Sequence, residues 1–571
     1  MTRSDSCDVC IIGSGAGGGP LAYELSRGGL RVVVLEKGPH YTRDQFVHDE
    51  IAICRRDFFV PSIREDPHVV LRRGSQQGER SSMGWIGRCV GGGTVKMAGY
   101  LYRLHPGDFQ MATRFGDSRA LELADWPFSY QDLEPYYSRV DQVVGISGAS
   151  GTHPFEGPRS KPYPLPPVDV HPMSSWIDRA GRSLGLSPFP SPRAIASRNY
   201  RGRQACVYCD FCGSYGCEVG AKSSTLDALL PSALATGRCE IRSEAFACQV
   251  EMGARGRVQS VVYHDASGQQ RRIRARVVCI AASAIESARL LMLSATKEHP
   301  HGLANGNGLV GRHLQFSISA QGHGSYRLEG SADRRRILEA QHPFLGRSLQ
   351  DFYWLREGEL DLPKGGTIRF GFPHANPIFR ALRLAHREDP LVWGAELKSR
   401  MVENFTQQRV VEFETFQDFL PHRSTFMDLD PEVKDRWGYP VARIHLDSVD
   451  HHAQAGRFLQ ARGLDLLEAA GATDRSGESV DTVTGHLVHG TCRSGTDPSG
   501  SVLNPFCRTH EVDNLYVVDG AFMPTAGGVP STLTILANSF RVADHLLRRA
   551  RAGEFDGGGS ATPKKSGGTG N

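Results

Sequence analysis

Three groups of residues in this 571-residue chain have types and spacings that could do chemistry. The first is Gly13, Gly15 and Gly18, spaced G-x-G-x-x-G with Ala16 among them, and Glu36 further on. Glycines so placed let a backbone approach a pyrophosphate, and an acid about 20 residues downstream can accept a bond from a ribose hydroxyl. The second is Cys206, Cys209, Cys212 and Cys217, spaced C-x2-C-x2-C-x4-C. Thiolates this close suit an iron–sulfur cluster. Zinc accepts four thiolates as well, although its structural sites usually join two separated pairs. A redox disulfide or plain packing of buried thiols fits the same spacing. The third is His486 and His489, just before Gly490-Thr491. Histidine titrates near neutral pH, which suits a general base.

These groups need elements to hold them. Residues 7–12 are an apolar run with strand character, and the glycine motif follows directly. A helical pattern comes next, with Pro20 in its first turn, where proline is tolerated, and Leu21 and Leu25 on one face. Gly28-Gly29 ends it, and residues 30–35 form a second, valine-rich strand closed by Glu36. The first glycine serves the tight turn, the second the close approach to phosphate, and the third helix–strand packing. The helix start offers free N–H groups to the phosphates. An acid at the ribose position would repel the extra phosphate of NADP; it leaves FAD and NAD both open.

Composition bounds the rest. Apolar residues are 40% and charged residues 22%, as in an ordinary globular protein. A formal charge of +4, with no basic stripe, gives no case for nucleic acid. No apolar run reaches the ~18 residues of a membrane span. Residues 1–6 are polar, without the pattern of a signal peptide, and a cytoplasmic protein is expected. Thirteen cysteines, an odd number, argue against a disulfide framework.

Further stretches resemble the glucose–methanol–choline (GMC) family of flavoproteins. Arg88-Cys89-Val90-Gly91-Gly92-Gly93-Thr94 resembles its second glycine loop, and residues 126–137 a segment just beyond that loop. Residues 277–294, including Ala282, resemble its strand–turn–helix return to the nucleotide. Gly490-Thr491-Cys492-Arg493-Ser494-Gly495, residues 514–520 with Asp519-Gly520, Pro524-Thr525 and residues 532–535 resemble its C-terminal signature. Within the family, residues 154–160 and 163–167 and the cysteine segment are most similar to gluconate-dehydrogenase-type large subunits.

The resemblance implies an α/β chain: a Rossmann-like FAD-binding domain with a second, α+β substrate domain built on an antiparallel sheet. Residues 1–320 would form the FAD domain, with inserted loops at about 145–220. Residues 321–480 would form the substrate domain, 481–552 a return to the FAD domain, and 553–571 a disordered tail. Alternation in residues 367–372 and 409–416 predicts strands of the antiparallel sheet. Residues 514–518 read as a strand and 532–549 as a helix, apolar at Leu533, Leu536, Ala537, Phe540, Ala543 and Leu547. Its N-terminus at Thr532 would favour negative charge on reduced flavin. Some family members attach flavin to a histidine in the second glycine loop. Here Thr94-Val95 is followed by Lys96, so non-covalent FAD is expected, held by Gly13, Gly15, Ala16, Gly18, Glu36, Gly92, Gly93, Thr94, Ala282, Asp519, Gly520 and Thr532.

The family's catalytic pair is altered. Its histidine falls at Leu487, with His486 and His489 on either side, and its asparagine or histidine falls at Pro530. Either histidine is a candidate base, and Ser531 a weak substitute for the missing partner. The expected activity is oxidation of a CH–OH group of a sugar, polyol or amino-sugar, by hydride transfer to flavin. Oxygen or a redox carrier would take the electrons. The alternatives are a flavin or iron–sulfur electron-transfer subunit with little alcohol oxidation of its own, and a pyridine-nucleotide dehydrogenase.

Overall fold

The computed structural model describes residues 5–54, 58–116, 121–253, 256–318, 320–330, 332–374, 376–386, 391–447, 450–478, 480 and 483–556. The side chains of Ile318, Thr484, His486 and Asp556 lie outside that description.

The fold is the expected one: a Rossmann-like domain beside an α+β domain with antiparallel sheets. Parallel strands Cys239–Arg242, Val32–Leu35, Ser6–Ile12 and Gln270–Ile280 lie side by side in that order. Leu515–Val517 runs parallel to the last of them, with Leu515 opposite Val278. Buried on both faces, these strands read as continuous valine and isoleucine runs. Strands Val258–His264 and Phe246–Met252 extend the sheet antiparallel. Helix Gly18–Arg27 packs on helix Thr532–Arg551, where Tyr23 meets Phe540 edge-on. All six apolar positions read from that second helix are buried.

The second sheet is antiparallel, in the order Asp474–Gly477, Gln321–Arg327, Gln408–Gln417, Gly366–Gly371, Arg347–Leu349, Phe189–Pro190. Both strands read from alternation are present in it. Ile368, Phe370, Val411 and Phe413 point from one face into a core shared with Leu459, Leu466 and Leu467 of helix Asp450–Ala469. Gln315–Ile318 links this sheet to Val483–His489. A four-stranded sheet of Phe426–Lys434, Pro440–Leu446, His68–Arg72 and Glu79–Ser81 completes the body. Two helices, Pro377–Ala385 and Gly394–Thr406, stand between the two strands read from alternation and supply helical parts of the α+β domain.

The supposed tail starts later than its composition suggests. Glu554–Asp556 form a turn, Arg549 pairs with Glu554 at 2.6 Å, and Phe555 is buried. One apolar ring and one ion pair suffice to dock these residues on the preceding helix. Residues 557–571 lie outside the described residues. Among the described residues no helix is long and apolar enough to cross a membrane.

Candidate active site

The two glycine loops meet face to face. Gly13 has φ +102°, and a Cβ there would lie 2.2 Å from the Ala281 carbonyl oxygen. A Cβ on Gly18 would lie 1.9 Å from the Gly13 carbonyl oxygen and 3.1 Å from Ile11 on the strand. These two glycines therefore answer to the protein's own packing. Gly15 differs: the nearest protein atom to its Cβ position would be Gly92 Cα, at 3.6 Å. Nothing in the chain requires glycine there, and its open side faces a cleft.

That cleft runs the length of the site. Gly13, Gly15, Ala16, Glu36, Gly92, Gly93, Thr94, Ala282, Asp519, Gly520 and Thr532 all line it, as do Leu487, His489 and Ser531. Its volume is about 1330 Å³, open mouth included. Gly18 stands behind it, under the helix. Two helix starts, at Gly18 and Thr532, bring free N–H groups to its wall.

Glu36 is buried and tied to the loop it follows. Its carboxylate accepts from Ser14 N (3.1 Å), Ser14 Oγ (2.6 Å) and Gly38 N (3.0 Å). Burial pushes its pKa up, against those bonds. Ser14 Oγ also accepts from Gly91 N at 2.9 Å, so one hydroxyl joins both glycine loops and the acid. Thr225 adds a second tie, donating within reach of the Ser14 and Gly91 carbonyl oxygens (3.0 and 3.1 Å). Neither residue was read from the sequence; only Ser14, inside the glycine motif, carried a local signal. Asp519 accepts from Ala521 N (2.9 Å) and from Ser287 Oγ, and burial pushes it up to about 6.

At the other end stands His489. Its strand is strongly bulged: five residue steps from Thr484 to His489 face two from Ser317 to Gln315. Leu487 takes up the surplus with φ +59°. The geometry places His489 in the cleft, fully buried, with Nε2 2.5 Å from Ser531 Oγ. Nδ1 has no hydrogen-bond partner among the described residues. Burial pushes the imidazole down to about 3, so it is neutral at neutral pH. His486 lies in the bulge, and its side chain is outside the described residues. Pro530 supplies no side-chain donor; Ser531, one residue on, supplies the hydroxyl instead.

The four cysteines share one loop and carry no disulfide. Cys206 and Cys212 pack against Val168, Ile195 and Phe344. Tyr208, Asp210 and Ser214 have φ of 57°, 69° and 69°, so the loop is locally strained. Buried Lys222 pins it to the cleft wall, its ammonium donating to the carbonyl oxygens of Cys212 (2.7 Å), Tyr215 (2.6 Å) and Met97 (3.0 Å). Among the described residues no three His, Cys, Asp or Glu side chains converge on a metal position. Iron and acid-labile sulfide analysis of anaerobically purified protein decides the loop's role.

Bare backbone from two loops, two helix starts and a buried neutral imidazole along one cleft are what a flavin-dependent oxidoreductase of CH–OH donors requires. Sequence comparison agrees, and the chain belongs to the GMC oxidoreductase family, whose profiles match residues 24–351 and 421–539. It is 31% identical over 560 residues to the 2-methyl-1,2-propanediol dehydrogenase of Mycolicibacterium austroafricanum, covering 96% of each chain. It is also 31% identical over 559 residues to the 6'''-hydroxyparomomycin C oxidase of Streptomyces lividus, covering 94% of this chain and 92% of that one. Identity to the gluconate 2-dehydrogenase flavoprotein of Pantoea cypripedii is 23% over 594 residues, covering 93% and 92%. The likeness therefore does not single out the gluconate-dehydrogenase type. FAD is the cofactor, and the protein works on a small molecule with a redox partner.

Proposed function

We propose that the chain oxidises a CH–OH group of a sugar, polyol or amino-sugar, with His489 as the base and Ser531 as its partner. The carrying observation is the contact of His489 Nε2 with Ser531 Oγ inside the cleft that the glycine loops line. When bound, FAD accepts the hydride from the alcohol carbon. The imidazole takes the hydroxyl proton, and Ser531 orients the hydroxyl and the ring. Gly13, Gly15, Ala16, Glu36, Gly92, Gly93, Thr94, Ala282, Asp519, Gly520 and Thr532 hold the cofactor, and Gly18, expected among them, serves helix–strand packing instead.

The substrate class is supported by the relatives. The two relatives at 31% identity are named for a diol and for a hydroxyparomomycin. The test is anaerobic: the flavin should bleach with at least one sugar, polyol or amino-sugar of a panel. Retained flavin that none of them bleaches would overturn the reading.

Two further results are expected. Among the described residues, His489 is the one histidine in the cleft wall, and neither cysteine nor tyrosine lines it. Trichloroacetic acid should therefore release the flavin into the supernatant; a yellow pellet would show a covalent bond. The second concerns pH. An imidazole at its ordinary pKa would lose about three-quarters of its neutral form between pH 8 and 6. With His489 pushed down to about 3, the rate of flavin reduction should stay nearly level over that range. A fall that follows an ordinary histidine titration would contradict it.

A further inference from the structure

We propose that Asp108, Lys364, Tyr353 and Asp418 are positioning residues that fix the backbone of Gly527-Gly528 and so aim Ser531 at His489. The proposal rests on the reading of His489 and Ser531 given above. None of the four residues lines the cleft.

Two adjacent glycines are the most freely moving dipeptide a chain can carry. Here they stand just before the hydroxyl that holds the base, yet three of their backbone groups are bonded. Gly527 N donates to Asp418 Oδ1 at 3.0 Å. Gly528 N donates to the Tyr353 hydroxyl at 3.0 Å, and Gly528 O accepts from Thr367 N at 3.2 Å. The pair has no room for side chains. A Cβ on Gly527, at φ +75°, would lie 2.2 Å from Leu104, and one on Gly528 would lie 2.8 Å from the Tyr353 ring.

The clamp is held from behind. The Tyr353 hydroxyl donates to Asp108 Oδ2 at 2.5 Å, and Lys364 Nζ lies 2.8 Å from Asp108 Oδ1. Both members of that ion pair are wholly buried. Lys364 also sits 3.7 Å from the centre of the Tyr353 ring, while His105 stacks on that ring at 3.6 Å. The tyrosine can therefore neither rotate nor withdraw its oxygen from Gly528. A buried ion pair is weak evidence for stability but can serve to specify one arrangement. Here it faces the backbone that leads to Ser531.

The test uses the FAD-loaded enzyme and two readouts. Tyr353→Phe keeps the ring and removes the acceptor for Gly528 N–H; Asp418→Ala removes the acceptor for Gly527 N–H. Each should speed amide hydrogen exchange of a peptide spanning residues 524–531 at least tenfold. Each should also lower kcat about tenfold with KM within twofold. Asp418→Asn keeps the accepting oxygen and should behave like the parent chain. Faster exchange with unchanged kcat would reduce the cluster to a structural clamp and overturn the proposal. Lower kcat without faster exchange would overturn it as well. If His489→Ala leaves the rate intact, the reading beneath the proposal fails instead, and the exchange result still reports on the clamp.

Discussion

His489→Ala is expected to slow anaerobic flavin reduction about 10³-fold, ~4 kcal/mol of barrier, while flavin content stays close to that of the parent chain. The imidazole is fully buried in the cleft and held neutral by burial, which leaves it able to accept a proton but weakens it as a base. Its hydrogen-bond partner inside the cleft is Ser531, and no residue of the two glycine loops bonds to it among the described residues. Removing the ring should therefore abolish base catalysis and spare cofactor retention. Ser531→Ala should cost about tenfold, ~1.4 kcal/mol, because it removes orientation and leaves the base. His486→Ala, measured alongside, decides whether the base is shared. A His489→Ala enzyme within tenfold of the parent would remove His489 from the role.

The nucleotide end was legible in the sequence because its parts are local. Strand, turn, helix and second strand follow one another from residue 6 to residue 36, and each glycine's task depends on near neighbours. The histidine end was legible only as a choice. Read as a regular strand, residues 486–489 leave the family position at Leu487 and a doubt on either side. The bulge in this strand comes from pairing with Gln315–Ile318, and periodicity within residues 483–489 cannot reveal a partner's register. Pro530 looked like a broken pair for a similar reason: the hydroxyl one residue on turns toward the histidine because the helix begins at Thr532.

What the sequence concealed is long-range. Asp108 and Lys364 carry no motif, and only the packed fold brings them together with Tyr353 behind Gly528. Thr225 is equally silent, although with Ser14 of the glycine motif it ties both glycine loops. The cysteine spacing was plain, but spacing does not fix where four sulfurs point, and the strained loop packs two of them, Cys206 and Cys212, against apolar neighbours. Helices Pro377–Ala385 and Gly394–Thr406 belong to the α+β domain expected, although no bounds were read for them.

Gly13→Ala and Gly15→Ala should fail in opposite ways, although both change one hydrogen to one methyl in the same motif. At Gly13 the methyl would sit 2.2 Å from a backbone carbonyl oxygen, on a residue with φ +102°. The backbone oxygen of Ala281, a buried residue just beyond the end of strand Gln270–Ile280 whose own N–H is held by Ile12 O, has little freedom to swing aside, so strain of ~1–3 kcal/mol adds to overpacking of ~1–3 kcal/mol. That is a large share of a typical stability of ~5–15 kcal/mol, and the variant should melt far below the parent even without cofactor. At Gly15 the methyl meets nothing closer than 3.6 Å, so the apoprotein should melt within about 2 °C of the parent. The methyl would project into the cleft between the two glycine loops, where the dinucleotide backbone must lie. FAD affinity should fall at least tenfold, ~1.4 kcal/mol, by titration of apoprotein with FAD. The contrast tests the cradle directly, since steric failure of the fold and steric exclusion of the ligand separate by melting temperature alone. A Gly15→Ala chain that binds FAD as tightly as the parent would mean that the open side of Gly15 does not face the cofactor, and would move the pyrophosphate away from this loop.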